Sequence, residues 1–187
     1  MTAWLGTLAL YEHRAGVEVV APETISFDVA RGEAHFGPVE IDGHALSWEL
    51  TPGDAPLGSP LLSHAVVLET DTSWIARCDR IDFPPGGIAY THTHPGPGIR
   101  YLLAGTLTIR SEGQTTEYAA GEPWYEAGPE PVHARAADGR ESAFVRVLLL
   151  PEEWKGKRTI RYVDAADDEK PRLQRPTVFF DRLITLP

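Results

Sequence analysis

Between residues 34 and 150 the chain is broken every few residues by turn-forming clusters, and this constrains its fold more than any other feature. Strand-forming runs at 39–41, 45–50, 61–69, 73–83, 88–94, 99–103, 106–110, 115–119, 121–126, 132–135 and 143–150 alternate with breaks such as Asp42-Gly43, Pro84-Pro85-Gly86-Gly87, Pro95-Gly96-Pro97-Gly98 and Asp138-Gly139. Proline removes a ladder donor, and glycine weakens pairing while tolerating turn conformations. No convincing long helix interrupts the pattern. With further runs at 158–163 and 177–184, about a dozen short strands at this spacing predict an all-β sandwich or barrel. Asp42-Gly43 is expected to close a hairpin between 39–41 and 45–50, and residues 111–114 one between 106–110 and 115–119. A single helical turn is expected within 22–30. Residues 51–60, with three prolines and two glycines, read as a loop, and the acidic stretch 164–170 as a solvated one.

A length of 187 residues suits one domain, with a barrel core at about 61–150 and extensions at 1–60 and 151–187. No internal repeat stands out. The formal charge of −10 argues against nucleic acid and against an anionic membrane surface as partners. Cys78 is the one cysteine, so no internal disulfide forms, which fits a reducing compartment. No basic segment precedes the apolar patch near the start, and no apolar run approaches the roughly 18 residues of a membrane span. The expected location is the cytoplasm.

The chemistry concentrates in residues 86–105, GGIAYTHTHPGPGIRYLLAG. His92 and His94 lie two apart on a strand candidate, so both imidazoles point to one face and reach one point. Neutral imidazole binds Fe, Mn, Ni, Cu and Zn with little discrimination. The same parity puts Ile88 and Tyr90 on the histidine face, Tyr90 being a pocket hydroxyl or a packed aromatic. Trp124 and Glu126 share one face of their strand and Tyr125 takes the other. Cys78 reads as a packed thiol on a strand facing the barrel, with no base to make it a nucleophile. His13, His35 and His44 read as surface residues and His64 as a core or rim residue. No nucleophile elbow, phosphate-cradling loop or nucleotide fingerprint is present.

Gly86, His92, His94, position 98 and Gly105 stand in register with the first motif of the cupin family, G-x5-H-x-H-x3,4-E-x6-G. The second motif, G-x5-P-x-G-x2-H-x3-N, is matched more loosely by Gly121, Gly128 and His133. The interval from Gly121 to His133 is one residue longer than the pattern, and Ala137 stands at its Asn. The chain therefore resembles cupins. That resemblance implies a double-stranded β-helix, or jelly roll, holding a divalent transition metal (Fe, Mn, Ni, Cu or Zn) through three histidines and a glutamate. His92, His94 and His133 become ligand candidates, whereas Gly98, at the glutamate position, cannot ligate. Two arrangements stay open: a three-histidine site with added water, which is preferred, or Glu126 in place of the missing carboxylate. Without that carboxylate the site is one charge more positive, which favours an anionic ligand. The family turns position 98 inward, and Arg100 shares its face. An inward arginine needs a partner, either a substrate carboxylate or a structural acid.

The implied function is a small metal-dependent enzyme of dioxygenase, isomerase, lyase or cyclase type acting on a small anionic organic substrate. Arg100 would anchor the anion, and Tyr90 or Glu126 would donate or accept the proton. The missing Glu and Asn support the alternative, a non-catalytic cupin module that binds a small ligand. The family also implies a homodimer, with 177–184 pairing across subunits.

Overall fold

The computed structural model describes residues 2–186. The strands are β1 (Ala3–His13), β2 (Val17–Val19), β3 (Ile25–Asp28), β4 (Glu33–Phe36), β5 (Val39–Ile41), β6 (Ala45–Pro52), β7 (Leu62–Glu69), β8 (Trp74–Phe83), β9 (Ile88–Thr93), β10 (Gly98–Ala104), β11 (Thr106–Ser111), β12 (Gln114–Ala119), β13 (Pro123–Glu126), β14 (Val132–Ala136), β15 (Ser142–Pro151), β16 (Arg161–Tyr162) and β17 (Arg175–Ile184). The helical content described is two short 3-10 turns, Glu152–Trp154 and Ala165–Glu169.

The path from β8 to β15 is a jelly roll. One sheet runs β13-β10-β15-β8 and the facing sheet β12-β11-β14-β9, and the chain alternates between them except at the β11–β12 hairpin. That hairpin forms as its sequence predicts, with Glu112 and Gly113 both at positive φ (51° and 74°), the twist that suits a two-residue turn. β17 extends the first sheet beside β8, and β16 extends the second beside β9.

The segment before the barrel retraces this route. Its sheet runs β4-β3-β6-β1-β7, with β2 and β5 paired separately. β1, β6, β3 and β4 stand where β8, β15, β10 and β13 stand in the barrel, β2–β5 corresponds to β9–β14, and β7 flanks β1 as β17 flanks β8. What is lacking is a counterpart of the β11–β12 hairpin. The repeat is one of strand path, which is why no sequence repeat signals it.

The two sheets of like path pack face to face. Trp74, Ala76, Cys78, Ile99, Tyr101, Val145, Val147 and Leu149 meet Leu8, Leu10, Ile25, Phe27, Leu46 and Trp48 in one core. Each large side chain buried there contributes roughly 1.5–3 kcal/mol. The opposite face of the barrel sheet supplies Ile81, Phe83, Leu102 and Phe144, which close on Leu107, Ile109, Val132 and Ala134 inside the barrel. Since both faces of β15 are covered, it reads as a nearly continuous apolar run.

Five sequence expectations change here. Residues 25–28 are strand β3 rather than a helical turn, because Ile25 and Phe27 gain a place in the core by pairing with β6. Gly43 does make a turn (φ 87°), but β5 pairs with β2 and β6 with β1 and β3, so the turn links two layers rather than two paired strands. Cys78 faces the core between the layers, not the barrel interior, and burial holds its thiol well above the usual range, with Asp79 adding to the shift. In the C-terminal segment, only Arg161 and Tyr162 of 158–163 form strand, and the acidic stretch coils into the turn at Ala165–Glu169 with the Asp164 side chain accepting from the Ala166 N–H. No helix among the described residues is long and apolar enough to cross a membrane.

Candidate functional site

β9 carries the histidine pair into the barrel. Its pairing with β14 slips between Val132/Ala134 and His92/Ala89, so one extra residue bulges on β9. A bulge re-aims the side chains on either side of it. Ala89, His92 and His94 all turn inward, and both imidazoles are 4% exposed. Each ring is oriented by a main-chain carbonyl: His92 Nδ1 lies 2.7 Å from Tyr90 O, and His94 Nδ1 3.1 Å from Thr159 O. A carbonyl only accepts, so both Nδ1 atoms carry the proton and both Nε2 atoms present lone pairs. Those two Nε2 atoms face each other at 3.2 Å. Burial pushes His92 down to about 4, against the opposing pull of Tyr90 O and Glu126. His94 is held well below its ordinary value by burial, then by Arg146 and Arg100. Near neutral pH there is no proton to share between them.

A carboxylate and two guanidiniums complete the interior. Gly98 pairs directly across from Glu126 on β13. A Cβ at position 98 would lie 2.3 Å from Val147 O and 2.7 Å from Leu148 Cδ2, so no larger residue fits there. The acid absent from β10 is thus present one strand over. Glu126 Oε2 stands 3.7 Å from His94 Nε2, and Trp124 Nε1 donates to Glu126 Oε1 at 2.8 Å. Arg100 is fully buried. Its Nη2 is 2.6 Å from Glu126 Oε2, although off the N–H direction, and its Nη1 donates to Gly98 O at 2.6 Å. Burial lowers the Arg100 guanidinium to about 10, with Glu126 opposing, which leaves it charged at neutral pH. Arg146 forms a two-point pair with Asp79 at 2.6 and 3.1 Å, and its Nη1 reaches within 3.3 Å of His94 Nε2. The cavity between His92, His94, Trp124, Glu126, Phe144 and Arg146 measures about 30 Å³, room for roughly one water or one ion.

Not every residue singled out in the sequence arrives here. Val132 and Ala134 face the cavity, so His133 between them faces out, near Arg110, Arg135 and Asp167. The extra residue between Gly121 and His133 is the cause, because a slip of one along a strand exchanges its faces. Val132 takes the inward place, directly opposite His92. The bulge on β9 likewise leaves Tyr90 out of the cavity, beside Tyr162 and beneath the Lys170 ammonium, 4.6 Å from its ring centre. Tyr125 stacks on His64 at 3.7 Å, placing that histidine at an exposed rim. His13 and His44 are half-buried and hydrogen-bonded, to Ser47 Oγ (2.8 Å) and Glu12 Oε1 (3.0 Å), rather than plain surface residues; His35 is half-buried on β4. Arg146 and Asp79 were missed. For Arg146 the signal was there, a lone charge on the inward parity of an otherwise apolar strand, whereas Asp79 shares its strand with Arg77, Arg80 and Asp82 and does not stand out.

A family-type metal is only partly accommodated. Two nitrogen donors bound to one ion at about 2.1 Å each sit near the spacing found for His92 and His94, although an ion would displace the contact between Arg146 Nη1 and His94 Nε2. Among the described residues, however, no three His, Cys, Asp or Glu side chains gather tightly enough to hold an ion. The donor set is two imidazoles with Glu126 as the nearest carboxylate. It fits an exchangeable ion with open positions better than a closed four-ligand site.

No protein-family model matches this chain, and no curated protein does. Solved structures similar to parts of it include an RmlC-like cupin from Shewanella frigidimarina, at 17% identity, covering 42% of this chain and 68% of that one, with a TM-score of 0.38. A polyketide cyclase from Streptomyces resistomycificus is 22% identical over 49% of this chain and 64% of its own, less than two thirds of its length, with a TM-score of 0.41. A salicylate 1,2-dioxygenase from Pseudaminobacter salicylatoxidans is 10% identical over 94% of this chain and 69% of its own, with a TM-score of 0.39. Strand order carries the assignment that these partial likenesses accompany. By the path of its strands from β8 to β15, the chain has the double-stranded β-helix, or jelly-roll, fold.

Proposed function

We propose that this chain is a small metal-binding cupin enzyme in which His92 and His94 hold one exchangeable divalent transition metal. The observation that carries the reading is the pair of deprotonated Nε2 atoms, 3.2 Å apart in a buried cavity with no proton between them. Two such lone pairs repel, and the Arg146 guanidinium, 3.3 Å from His94 Nε2, offsets this on one side only; a cation between them would offset it on both. A bound metal would supply Lewis-acid or redox chemistry at open positions. The residues around it have separable tasks. Glu126, oriented by Trp124 Nε1, accepts or returns a proton at Oε2. Arg100 and Arg146 supply fixed positive charge for a small anionic organic substrate, and Asp79 holds Arg146 in place. Ile81, Ile109, Val132 and Phe144 keep bulk water out. Elemental analysis of the purified protein tests this: a transition metal lost in His92→Ala supports it, and no metal in the wild-type protein after reconstitution overturns it.

A second reading, a module that binds a ligand without catalysis, draws on Val132 in the third-histidine place and on the tie between Glu126 and Arg100. Turnover by the metal-loaded protein separates the two. A homodimer remains part of the proposal. β17 is spent on β8 of its own chain along one edge and ends its sheet along the other, so pairing across subunits would use that outer edge. A monomer in light scattering would remove it.

A further inference from the structure

Beside the histidine cavity lies a larger one, of about 470 Å³, on the open side of the barrel between β8, β17 and the segment 156–160. Its size is that of a small-molecule pocket, whereas the histidine cavity holds about one water. Ile81, Arg146, Ile160 and Gln174 border both cavities.

Charge is the unusual property of this pocket. The protein carries a formal charge of −10, yet five cations line the pocket against two carboxylates. Both carboxylates are already matched by buried arginines: Asp181 by Arg77 at 2.6 and 2.7 Å, and Asp79 by Arg146. Lys157, Arg158 and Arg172 remain. Arg158 and Arg172 share one outside carboxylate, Asp168, at 3.7 and 3.6 Å, and that acid is 57% exposed. Such exposed pairs hold a side chain weakly. The floor is apolar, formed by Ile81, Ile160, Pro176 and Val178. Gln174 is 9% exposed and its Oε1 has no hydrogen-bond partner, so one end of the carboxamide is buried without the contact that burial ordinarily demands.

We infer that this pocket binds an organic anion with an apolar body. The anionic head rests on Arg158 and Arg172, the body covers Ile160 and Val178, and an N–H or O–H donor, where the ligand carries one, satisfies Gln174 Oε1. Arg146, shared with the histidine cavity, brings such a ligand up to the wall of the proposed metal site. The inference stands whether or not the histidine pair takes a metal.

Hexanoate is the probe, with hexanamide as its neutral counterpart, titrated by calorimetry into the purified full chain with and without chelator. The expected result is saturable binding of one hexanoate per chain, unchanged by the chelator, at least about tenfold tighter than hexanamide and weakening as salt rises. The Arg158→Ala/Arg172→Ala variant should lose about tenfold in affinity. Their side chains are 39% and 51% exposed, so the variant keeps its core, and thermal unfolding checks this. Absence of saturable hexanoate binding, equal affinity for hexanamide, or an unaltered affinity in the double variant would each overturn the inference.

Discussion

The two halves of this molecule follow one strand path and fill it differently. In the first half, the sheet face turned away from the barrel carries Thr7, Ala9, Ser26, Ala45 and Ser47, all buried and all small, with one buried acid, Asp28, at its end, tied to Arg31. Thr7 is tied to the overlying loop through Gly53 O, and His13 rests on Ser47 Oγ. In the second half the corresponding face is covered by a sheet that the β11–β12 hairpin extends, and the space between holds His92, His94, Arg100, Arg146, Asp79 and Glu126. One strand path therefore serves as packing in one half and as a charged chamber in the other. Small side chains let the first half close on itself, whereas the second half meets the desolvation of its charges by pairing them.

Breaking a buried pair is the harshest test of that contrast. Asp79→Ala leaves Arg146 buried without its carboxylate and should destabilise the protein by about 3–5 kcal/mol. Ser47→Ala in the first half should change stability by under about 1 kcal/mol. Denaturant unfolding compares them, and similar losses would dissolve the contrast.

Acid sensitivity follows from the same chamber. The folded chain holds His92 near 4, below the 6.5 of an unfolded histidine. The unfolded chain therefore takes up a proton first as pH falls. This stabilisation is complete above about 6.5 and is lost progressively down to about 4, on the order of 3 kcal/mol for the metal-free protein. Urea unfolding at several pH values should show the fall in wild type, a smaller fall in His92→Gln, where buried His94 still contributes, and little change from wild type in His13→Gln. A flat profile in wild type would contradict the burial argument.

A smaller effect belongs to the strand that lost its acid. Gly98→Ala puts a Cβ 2.3 Å from Val147 O and should cost about 1–3 kcal/mol in thermal unfolding. If it were neutral, β10 would have room for a larger residue, and Glu126 would not be needed as the carboxylate source.

Much of this was legible in the sequence, and the failures share a cause. The turn-punctuated strands predicted an all-β sandwich or barrel and the resemblance to cupins narrowed it to a jelly roll, the His92-x-His94 pair was placed on one inward face, and the β11–β12 hairpin was read in register. Tyr90 and His133 were misplaced because each lies beside a one-residue slip, a bulge in one case and a longer loop in the other. Strand parity has a period of two, so a single uncounted residue reverses it. The slip at His133 was visible as the longer interval, but the bulge on β9 depends on pairing with β14, which no local pattern records. β3 was missed because its strand state is set by the layer it packs against. Arg146 was legible as a lone charge in an apolar strand, but its partner Asp79 lies 67 residues away.

The most direct test is a Co(II) titration of the metal-free protein, followed by its d–d absorption, for wild type, His94→Ala and His133→Ala. The account predicts one bound equivalent in wild type, an unchanged titration in His133→Ala and no spectral binding in His94→Ala. Binding lost in His133→Ala, or retained in His94→Ala, would show that the metal is not held by the inward histidine pair.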